Sequence, residues 1–268
     1  MTIPGDVSSQ FVSGLLLAAP LASDDVNIEL TTRLESKPYV DMTLEIMRQH
    51  GIKADELENQ FTVPAPQQYF PTDHLVPTDF SSTAFILVAG ITCGDALDVL
   101  NVRESPIEPD STVLELFSDI GAQMDRSKDR IRLQGTQIEG FSFDARDHPD
   151  LVPALEVLGC HASGRSEIRG VSRLVHKESD RLRSVPEQLA RMGAKVSFDQ
   201  DKVTIQGNNK LSGSILHSYH DHRVAMACSI ASLGAEGPTT IEDAAVVSKS
   251  YPDFYEDLGR MGVEFSVE

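Results

Sequence analysis

The sequence has little positive charge for its length. Lys and Arg together number 23 in 268 residues, against 41 Asp and Glu, which gives a formal net charge of −18 at pH 7. Nucleic acids and anionic membranes both bind to basic faces, so this balance disfavours either as a partner. It also makes any local cluster of cations informative.

Cysteine is scarce as well. The sequence contains Cys93, Cys160 and Cys228, with no C-x-x-C pair, and each is surrounded by apolar or small residues. We interpret them as reduced residues that fill the core of a cytoplasmic protein.

Long hydrophobic runs are absent. The apolar segment FVSGLLLAAPLA at 11–22 is too short to span a bilayer. It resembles the core of a signal peptide, but the residues before it include Asp6 and no Lys or Arg, so the cationic region of such a peptide is missing. We therefore predict a buried helix here.

The sequence also lacks the motifs of nucleotide cofactors and of serine hydrolases. There is no Gly-rich phosphate loop of either common type and no G-x-S-x-G elbow. A His-x-x-His-x-His pattern, formed by His217, His220 and His222, has no Cys nearby and no second ligand group at a known metal-binding spacing. We predict no cofactor and no metal.

What the sequence does contain is a repeat. Four glycines, each following an amphipathic helical pattern, lie 70, 72 and 69 residues apart at Gly51, Gly121, Gly193 and Gly262. Glycine at a helix C-terminus supplies the left-handed residue that ends the helix. The spacing therefore predicts four copies of one structural unit.

A second series of segments keeps the same period. Four stretches that are apolar on nearly every side and rich in Ala and Gly begin at Ser8, Ser81, Pro149 and Asp221. Helices of this kind are buried all round. We predict an α/β fold of four repeated βαβαββ units: strand, buried helix, strand, amphipathic helix and a hairpin of short strands.

A cation lies just before each predicted amphipathic helix, at Lys37, Arg103, Lys177 and Lys249. If the repeats pack side by side, these loops gather at one end, where the buried helices also begin. Helix N-termini carry partial positive charge and free N–H groups, so they attract phosphate and carboxylate. This arrangement predicts a polyanionic small-molecule ligand.

The densest charge cluster is the segment RLVHKESDRLR, which contains Lys177, Glu178 and Arg181. Lys177 and Arg181 are four residues apart, which predicts one helical face, with Ser179 or Asp180 as the cap. An Arg fork and a Lys together bind carboxylate or phosphate, and Glu178 beside them suits proton transfer. The alternative is a surface ion-pair network.

Two of the predicted buried helices begin with charged residues. Asp221, His222 and Arg223 open one of them, which favours anion binding through Arg223. Asp150, behind Pro149, opens another. It is either a simple N-cap or a base aimed at a substrate hydroxyl, and spacing does not separate the two.

Five segments resemble one family in its order: PGDVSSQF, SKPY, HKESDRL, YHDHRVAM and SKSYPDFYEDL. The family is 5-enolpyruvylshikimate-3-phosphate (EPSP) synthase, the 3-phosphoshikimate 1-carboxyvinyltransferases, and the likeness runs from Gly5 nearly to the C-terminus. It implies transfer of the enolpyruvyl group of phosphoenolpyruvate to the 5-hydroxyl of shikimate 3-phosphate. The reaction passes through a tetrahedral intermediate and releases phosphate without a metal or organic cofactor.

The resemblance also implies roles for individual residues. Those expected to hold shikimate 3-phosphate are Ser8, Ser9, Gln10, Ser36, Tyr39, Asp150 and Lys177. Those expected to bind phosphoenolpyruvate are Gln10, Arg181, Arg223 and Lys249. Asp150 would take the 5-hydroxyl proton, Lys177 would bind the ring oxygens, and Glu178 would move a proton at the methylene carbon.

The sequence departs from the family in three ways. Arg173 replaces a common Asn and receives no role, and Pro186 should kink the helix after the charge cluster. The family has two lobes of three units each, whereas this chain shows four units. We therefore expect a C-terminal portion of the enzyme, with 1–76 as the last unit of the shikimate-phosphate lobe and 77–268 as the other lobe.

On this interpretation the chain alone has little activity, and the missing part is either lost or supplied by a separate chain. Two alternatives stay open. One is an inactive anion-binding fragment, and the other is the related UDP-N-acetylglucosamine enolpyruvyl transferase, which shares the fold but lacks the Lys-Glu-Ser-Asp-Arg run.

Overall fold

A computed structural model describes residues 1–94 and 96–266. The chain divides into two compact units, and each is described by itself. Unit 1 comprises Met1–Pro77 with Glu104–Pro109, and unit 2 comprises Thr78–Arg103 with the chain from Asp110 onward. Within the described residues no helix combines the length and apolar character needed to cross a membrane.

Unit 1 contains one complete βαβαββ repeat. Its elements are β1 (Thr2–Ile3), α1 (Ser9–Ala18), β2 (Val26–Leu30), α2 (Lys37–Gln49), β3 (Asp55–Leu57) and β4 (Gln60–Val63). The sheet has the order β1-β2-β4-β3, with β1 parallel to β2 and the other pairs antiparallel. Its core includes Leu16 from α1, Ile28 from β2, Met47 from α2 and Phe61 from β4.

Unit 2 contains three further repeats. The first has α3 (Phe80–Cys93), β5 (Leu97–Leu100), α4 (Val113–Asp119), β6 (Gln123–Ser127) and β7 (Arg130–Gln134). The second has β8 (Ser142–Asp144), α5 (Val152–His161), β9 (Arg165–Arg169), α6 (Arg181–Arg191), β10 (Lys195–Phe198) and β11 (Lys202–Gln206). The last has β12 (Ile215–His217), α7 (His222–Leu233), β13 (Thr240–Glu242) and α8 (Phe254–Arg260). Their sheets run β5-β7-β6, β10-β11-β9-β8 and β12-β13.

The three central helices of unit 2 pack against one another in its core. Most residues of α3, and all but the ends of α5 and α7, are buried, as their apolar sequences predict. The α/β fold and the burial of these three helices are therefore confirmed.

The same prediction was wrong for α1. Only Ser9, Val12 and Leu16 of this helix are buried, while Phe11 is 55% and Leu17 44% exposed. The reason is that the sheet and α2 of unit 1 cover α1 from one side only. On that side the hydroxyls of Ser13 in α1 and Thr43 in α2 form a hydrogen bond at 2.8 Å. No second or third helix of the same kind lies beside it within the described part of unit 1.

The four predicted helix-ending glycines all adopt the left-handed conformation, with φ between 82° and 94°. The prediction that the cysteines fill the core is confirmed for Cys160 and Cys228, which are buried, but was wrong for Cys93, which is exposed at the last turn of α3. Helix α6 continues through Pro186 without interruption, and the predicted kink stays a prediction.

Candidate functional site

Three helix N-termini of unit 2 meet at the side chain of Arg223. Its Nη1 donates to the Ser81 carbonyl in the first turn of α3 at 2.9 Å, and to the Asp150 carbonyl before α5 at 3.2 Å. The Arg223 backbone N–H donates to Asp221, the N-cap of α7, at 2.9 Å. The predicted gathering of these helix ends is therefore present within unit 2.

Asp150 lies among three cations. Its Oδ1 is 2.8 Å from Arg181 Nη1, 3.1 Å from Lys177 Nζ and 3.7 Å from Arg223 Nε. Burial alone would raise its pKa, but the positive charges of Arg223, Lys177 and Arg181 hold the pKa of Asp150 far below its usual range. Asp150 lies in the 3-10 turn Pro149–Leu151, and its carboxylate does not cap α5. The simple N-cap interpretation is thus wrong.

Arg181 and Asp221 form a buried ion pair beside Asp150. Arg181 Nε and Nη2 donate to the two Asp221 oxygens at 2.7 and 3.0 Å, and Arg181 is only 3% exposed. Burial disfavours the charged form of both groups, so by itself it would lower the pKa of Arg181 and raise that of Asp221. The bonds between them nevertheless raise the pKa of Arg181 and lower the pKa of Asp221. Such a two-point pair fixes the direction of the guanidinium, whose Nη1 then points at Asp150.

The prediction that Lys177 and Arg181 share a helical face was wrong. Lys177 follows the 3-10 segment Ser172–His176, and α6 begins only at Arg181. Ser179, between them, donates its N–H and its hydroxyl to Asp221 at 3.2 and 3.0 Å, so the chain turns before the helix starts. The two cations still meet, because both reach Asp150.

Glu178 is held between a histidine and a lysine. Its Oε2 lies 3.0 Å from His222 Nδ1 and 3.3 Å from Lys249 Nζ, and Lys249 also donates to the His220 carbonyl at 3.0 Å. Burial and the charge of Arg223 lower the pKa of His222, so its ring is neutral at neutral pH. When Glu178 is ionised, the ring hydrogen must be on Nδ1, which leaves Nε2 as an acceptor.

The sequence did not assign roles to His222 or Asp221. Both lie at the start of a buried helix, which is equally compatible with a structural cap, and His222 also belongs to the histidine pattern that we weighed as a metal site. Their contacts with Glu178 and Arg181 join segments some 40 residues apart, and no local pattern predicts such a contact.

Metal binding is poorly supported by the contacts. Glu178, Asp221 and His222 have ligand atoms within 4.8 Å of one another, but Asp221 already accepts two bonds from Arg181. Lys249 adds a further positive charge next to Glu178, which disfavours a cation. The Nδ1 atoms of His217, His220 and His222 lie beside three different carboxylates, those of Glu242, Asp243 and Glu178.

Unit 1 carries the other predicted site residues, at the beginnings of its two helices: Ser8, Ser9, Gln10, Ser36 and Tyr39. The Ser8 hydroxyl caps α1 by accepting from the Gln10 N–H at 3.3 Å. Ser36 precedes α2 in a left-handed conformation. The loops before the two helices are neighbours, because the Glu35 N–H donates to the Gly5 carbonyl at 3.1 Å.

The four cations that were predicted to precede the amphipathic helices have different surroundings. Lys177 and Lys249 belong to the cluster in unit 2. Lys37, in unit 1, pairs with Asp41 and Glu56 at the surface. Arg103 is exposed, and its backbone pairs with Thr78 just before α3.

Comparison with known proteins identifies relatives along the whole chain. The family model for EPSP synthase (3-phosphoshikimate 1-carboxyvinyltransferase) matches residues 1–258. The 3-phosphoshikimate 1-carboxyvinyltransferase of Methanocaldococcus jannaschii is 38% identical over 99% of this chain and 62% of its own length. That of Methanocella arvoryzae is 36% identical over all of this chain and 63% of its own length.

Solved structures agree with this relationship. EPSP synthase from Acinetobacter baumannii superimposes with a TM-score of 0.79 at 26% identity, over 97% of this chain and 62% of that one. The enolpyruvyl transferase NikO from Streptomyces tendae, at 20% identity and a TM-score of 0.76, shares the fold. The chain thus spans a little over three fifths of the length of these relatives. On the match of the family model across residues 1–258, it belongs to the EPSP synthase family.

Proposed function

We propose that the chain takes part in transfer of the enolpyruvyl group from phosphoenolpyruvate to the 5-hydroxyl of shikimate 3-phosphate, with release of phosphate. The observation that carries the proposal is the cluster in unit 2. There four cations surround two candidate proton-transfer carboxylates, Asp150 and Glu178, at converging helix N-termini. In a chain of charge −18, such a concentration of positive groups suits a polyanionic substrate.

In this proposal Arg181, Arg223 and Lys249 bind the carboxylate and phosphate of phosphoenolpyruvate, and Lys177 holds the ring oxygens of shikimate 3-phosphate. In unit 1, Ser8, Ser9, Gln10, Ser36 and Tyr39 supply hydroxyl and amide groups to shikimate 3-phosphate, and Gln10 also approaches the enolpyruvyl group. The start of α1, at Ser8 to Gln10, supports the binding of shikimate 3-phosphate by these residues, because a helix N-terminus favours a phosphate.

The chemistry requires one proton acceptor and one group that gives and regains a proton. Asp150 accepts the proton of the 5-hydroxyl while that oxygen bonds to C2 of phosphoenolpyruvate, and Glu178 protonates the methylene carbon. Loss of phosphate from the tetrahedral intermediate then breaks the bond between C2 and the phosphate oxygen. The methyl group returns a proton to Glu178, and the proton held by Asp150 leaves with the phosphate. The neutral ring of His222 and the ammonium group of Lys249 hold Glu178 during both steps.

Asp150 is a weak base while three cations face it. When the anionic groups of phosphoenolpyruvate pair with Arg181 and Arg223, less positive charge acts on Asp150 and its pKa rises. Substrate binding thereby makes the carboxylate a better proton acceptor at the moment it is needed.

We further propose that turnover needs polypeptide beyond these 268 residues. The exposed apolar side of α1, with Phe11 and Leu17, supports this, because the corresponding helices of unit 2 are covered all round. A separate chain or segment with two more units would supply that cover.

The test measures phosphate release that depends on both phosphoenolpyruvate and shikimate 3-phosphate. The chain is assayed alone and with a polypeptide corresponding to the part of the Methanocaldococcus jannaschii relative that it does not match. We expect little release from the chain alone and clear release from the mixture. Asp150→Asn should lower the mixture's rate by about 10²- to 10⁴-fold, the usual contribution of a general base.

Direct binding of phosphoenolpyruvate to the chain alone, measured by calorimetry, separates the alternatives. Binding without turnover in any mixture would leave an anion-binding module. Turnover with UDP-N-acetylglucosamine instead of shikimate 3-phosphate would establish the related transferase. Absence of both binding and turnover would refute the proposal.

A further inference from the structure

Arg223 is a buried cation docked on the first turn of α3. Its side chain is 8% exposed, and burial of a guanidinium is costly unless its N–H groups are bonded. Nη1 donates to the Ser81 carbonyl at 2.9 Å and Nη2 to the Ser81 hydroxyl at 2.8 Å. Both oxygens belong to Ser81, so the end of the guanidinium formed by Nη1 and Nη2 faces this one residue. We call this arrangement end-on.

The remaining donors of Arg223 define which edge is available to a ligand. A guanidinium has five N–H groups. Ser81 takes two of them and the Asp150 carbonyl takes a third, from Nη1 at 3.2 Å. Among the bonds of the described residues, this leaves the Nε and inner Nη2 hydrogens, which share one side edge. Asp150 Oδ1 lies 3.7 Å from Nε, beyond a good hydrogen bond, and that edge is the fork that binds oxyanions at two points.

Asp79 fixes the direction of the bond between Arg223 and Ser81. The Ser81 hydroxyl donates its one hydrogen to Asp79 Oδ1 at 2.6 Å, so it can face Arg223 only with a lone pair. Burial would raise the pKa of Asp79, but hydrogen bonds from Ser81 and Ser82 and the charge of Arg223 lower it. A chain of bonds thus runs from Arg223 through Ser81 to the N-cap of α3.

We propose that Ser81 is a positioning residue that docks Arg223 end-on and so presents its side fork to a substrate oxyanion. The identity of that oxyanion as the carboxylate or phosphate of phosphoenolpyruvate rests on the proposed function. The docking itself does not, and it can be tested in the ligand-free protein.

Ser82 offers a matched control one residue away. Its hydroxyl donates to the other Asp79 oxygen at 2.7 Å, and Ser81 and Ser82 are 7% and 6% exposed. Of the two hydroxyls, only that of Ser81 reaches Arg223 in the described contacts. Ser81→Ala and Ser82→Ala therefore each remove one bond to Asp79, and only the first also removes one of the three hydrogen bonds that hold the Arg223 guanidinium.

The first experiment follows rotation of the Arg223 guanidinium by NMR in protein labelled with ¹³C,¹⁵N-arginine, without ligand. In the wild type we expect Arg223 to rotate at least about tenfold more slowly than the exposed Arg191, since charged hydrogen bonds of this kind contribute about a factor of ten or more. Ser81→Ala removes the hydrogen bond from Nη2 and keeps the two carbonyl bonds of Nη1, so it should speed the rotation about tenfold, and Ser82→Ala should change the rate less than about twofold.

Equal rates for Arg223 and Arg191 in the wild type would overturn the inference even if a variant failed to fold. Equal effects of the two variants would overturn it as well, because a merely structural role at the N-cap is common to both. Ser81→Thr, which keeps the hydroxyl, should retain the wild-type rotation rate.

The second experiment titrates phosphoenolpyruvate and inorganic phosphate into the same variants. Ser81→Ala should weaken binding about tenfold and Ser82→Ala less than twofold. Slow rotation of Arg223 with no binding to the wild type would overturn the assignment of phosphoenolpyruvate to this fork in the chain alone and leave the docking intact. Binding to the wild type that Ser81→Ala does not weaken would refute the positioning role.

Discussion

Glu156 is a carboxylic acid in the interior of unit 2. It lies on α5, it is fully buried, and neither of its carboxylate oxygens has a hydrogen-bond partner among the described residues. Burial raises its pKa well above the usual value and also raises the pKa of Cys160, one turn further along the helix. At the residue scale, burial of Glu156 thus disfavours its ionised form in the folded protein.

The sign of its effect on stability follows from linkage. Because the folded-state pKa is raised, the contribution of Glu156 is fully present below about pH 4.5 and is lost as the pH rises towards the folded-state pKa. We expect Glu156→Gln to gain about 1.4 kcal/mol of unfolding free energy over the wild type for each pH unit in that window. Urea unfolding at pH 5, 6 and 7 measures this difference.

Glu115, exposed on α4, provides the control for that experiment. Glu115→Gln should show a difference from the wild type that does not grow with pH. A constant difference for Glu156→Gln would mean that the buried carboxyl is ionised, or finds a partner, in the folded state.

Single residues also mark the limit of prediction from sequence. Asp150, Glu178 and Arg223 were candidates because they lie among cations or at the starts of buried helices, and the resemblance to the family supplied their roles. Ser81 appeared only as the start of a buried helix, since its partner Arg223 lies 142 residues away. A bond between two repeats depends on how those repeats pack, and no local periodicity contains that information.

At the scale of elements, the repeat predicted the helices well but not their surroundings. The four glycines end their helices as expected, because a left-handed residue is a local requirement. The composition of α1 predicted burial on all sides, yet burial needs neighbours, and unit 1 provides them on one side. The spacing of Lys177 and Arg181 predicted one helical face, but bonds from Ser179 to Asp221 delay the helix.

The two sides of α1 predict opposite effects for neighbouring leucines. Leu16 is fully buried, and Leu16→Ala should cost about 2–5 kcal/mol of unfolding free energy. Leu17 is 44% exposed, and Leu17→Ala should cost less than about 1 kcal/mol in this chain. Chemical denaturation of both variants measures the contrast. Similar losses would mean that α1 is covered on both sides in solution.

At the scale of the whole molecule, the chain has two separate hydrophobic cores. The core of unit 1 has ten buried hydrophobic residues in the described structure, and that of unit 2 has 48. A small core stabilises its unit less, because the apolar area removed from water is smaller. Cores of such unequal size favour unfolding in steps over a single transition.

We therefore expect two transitions in urea, with unit 1 unfolding first. Leu16→Ala should lower only the first midpoint, and Leu155→Ala, at a fully buried position of α5, only the second. Because the chain has no tryptophan, far-UV circular dichroism combined with peptide-resolved hydrogen exchange is the suitable measurement. One transition, shared by peptides from both units, would contradict this expectation.

The contacts of Arg223 have a consequence for how unit 2 could be shortened. Its side chain projects from the first turn of α7 and donates to Ser81 in the first turn of α3 and to the Asp150 carbonyl just before α5. Deleting the repeat that contains Ser81 or the one that contains Asp150 would leave the buried guanidinium of Arg223 without some of its acceptors. Deleting the last repeat would remove Arg223 itself. Repeats that look interchangeable in sequence are therefore locked into a set of three, and a minidomain of two would need a neutral residue at position 223.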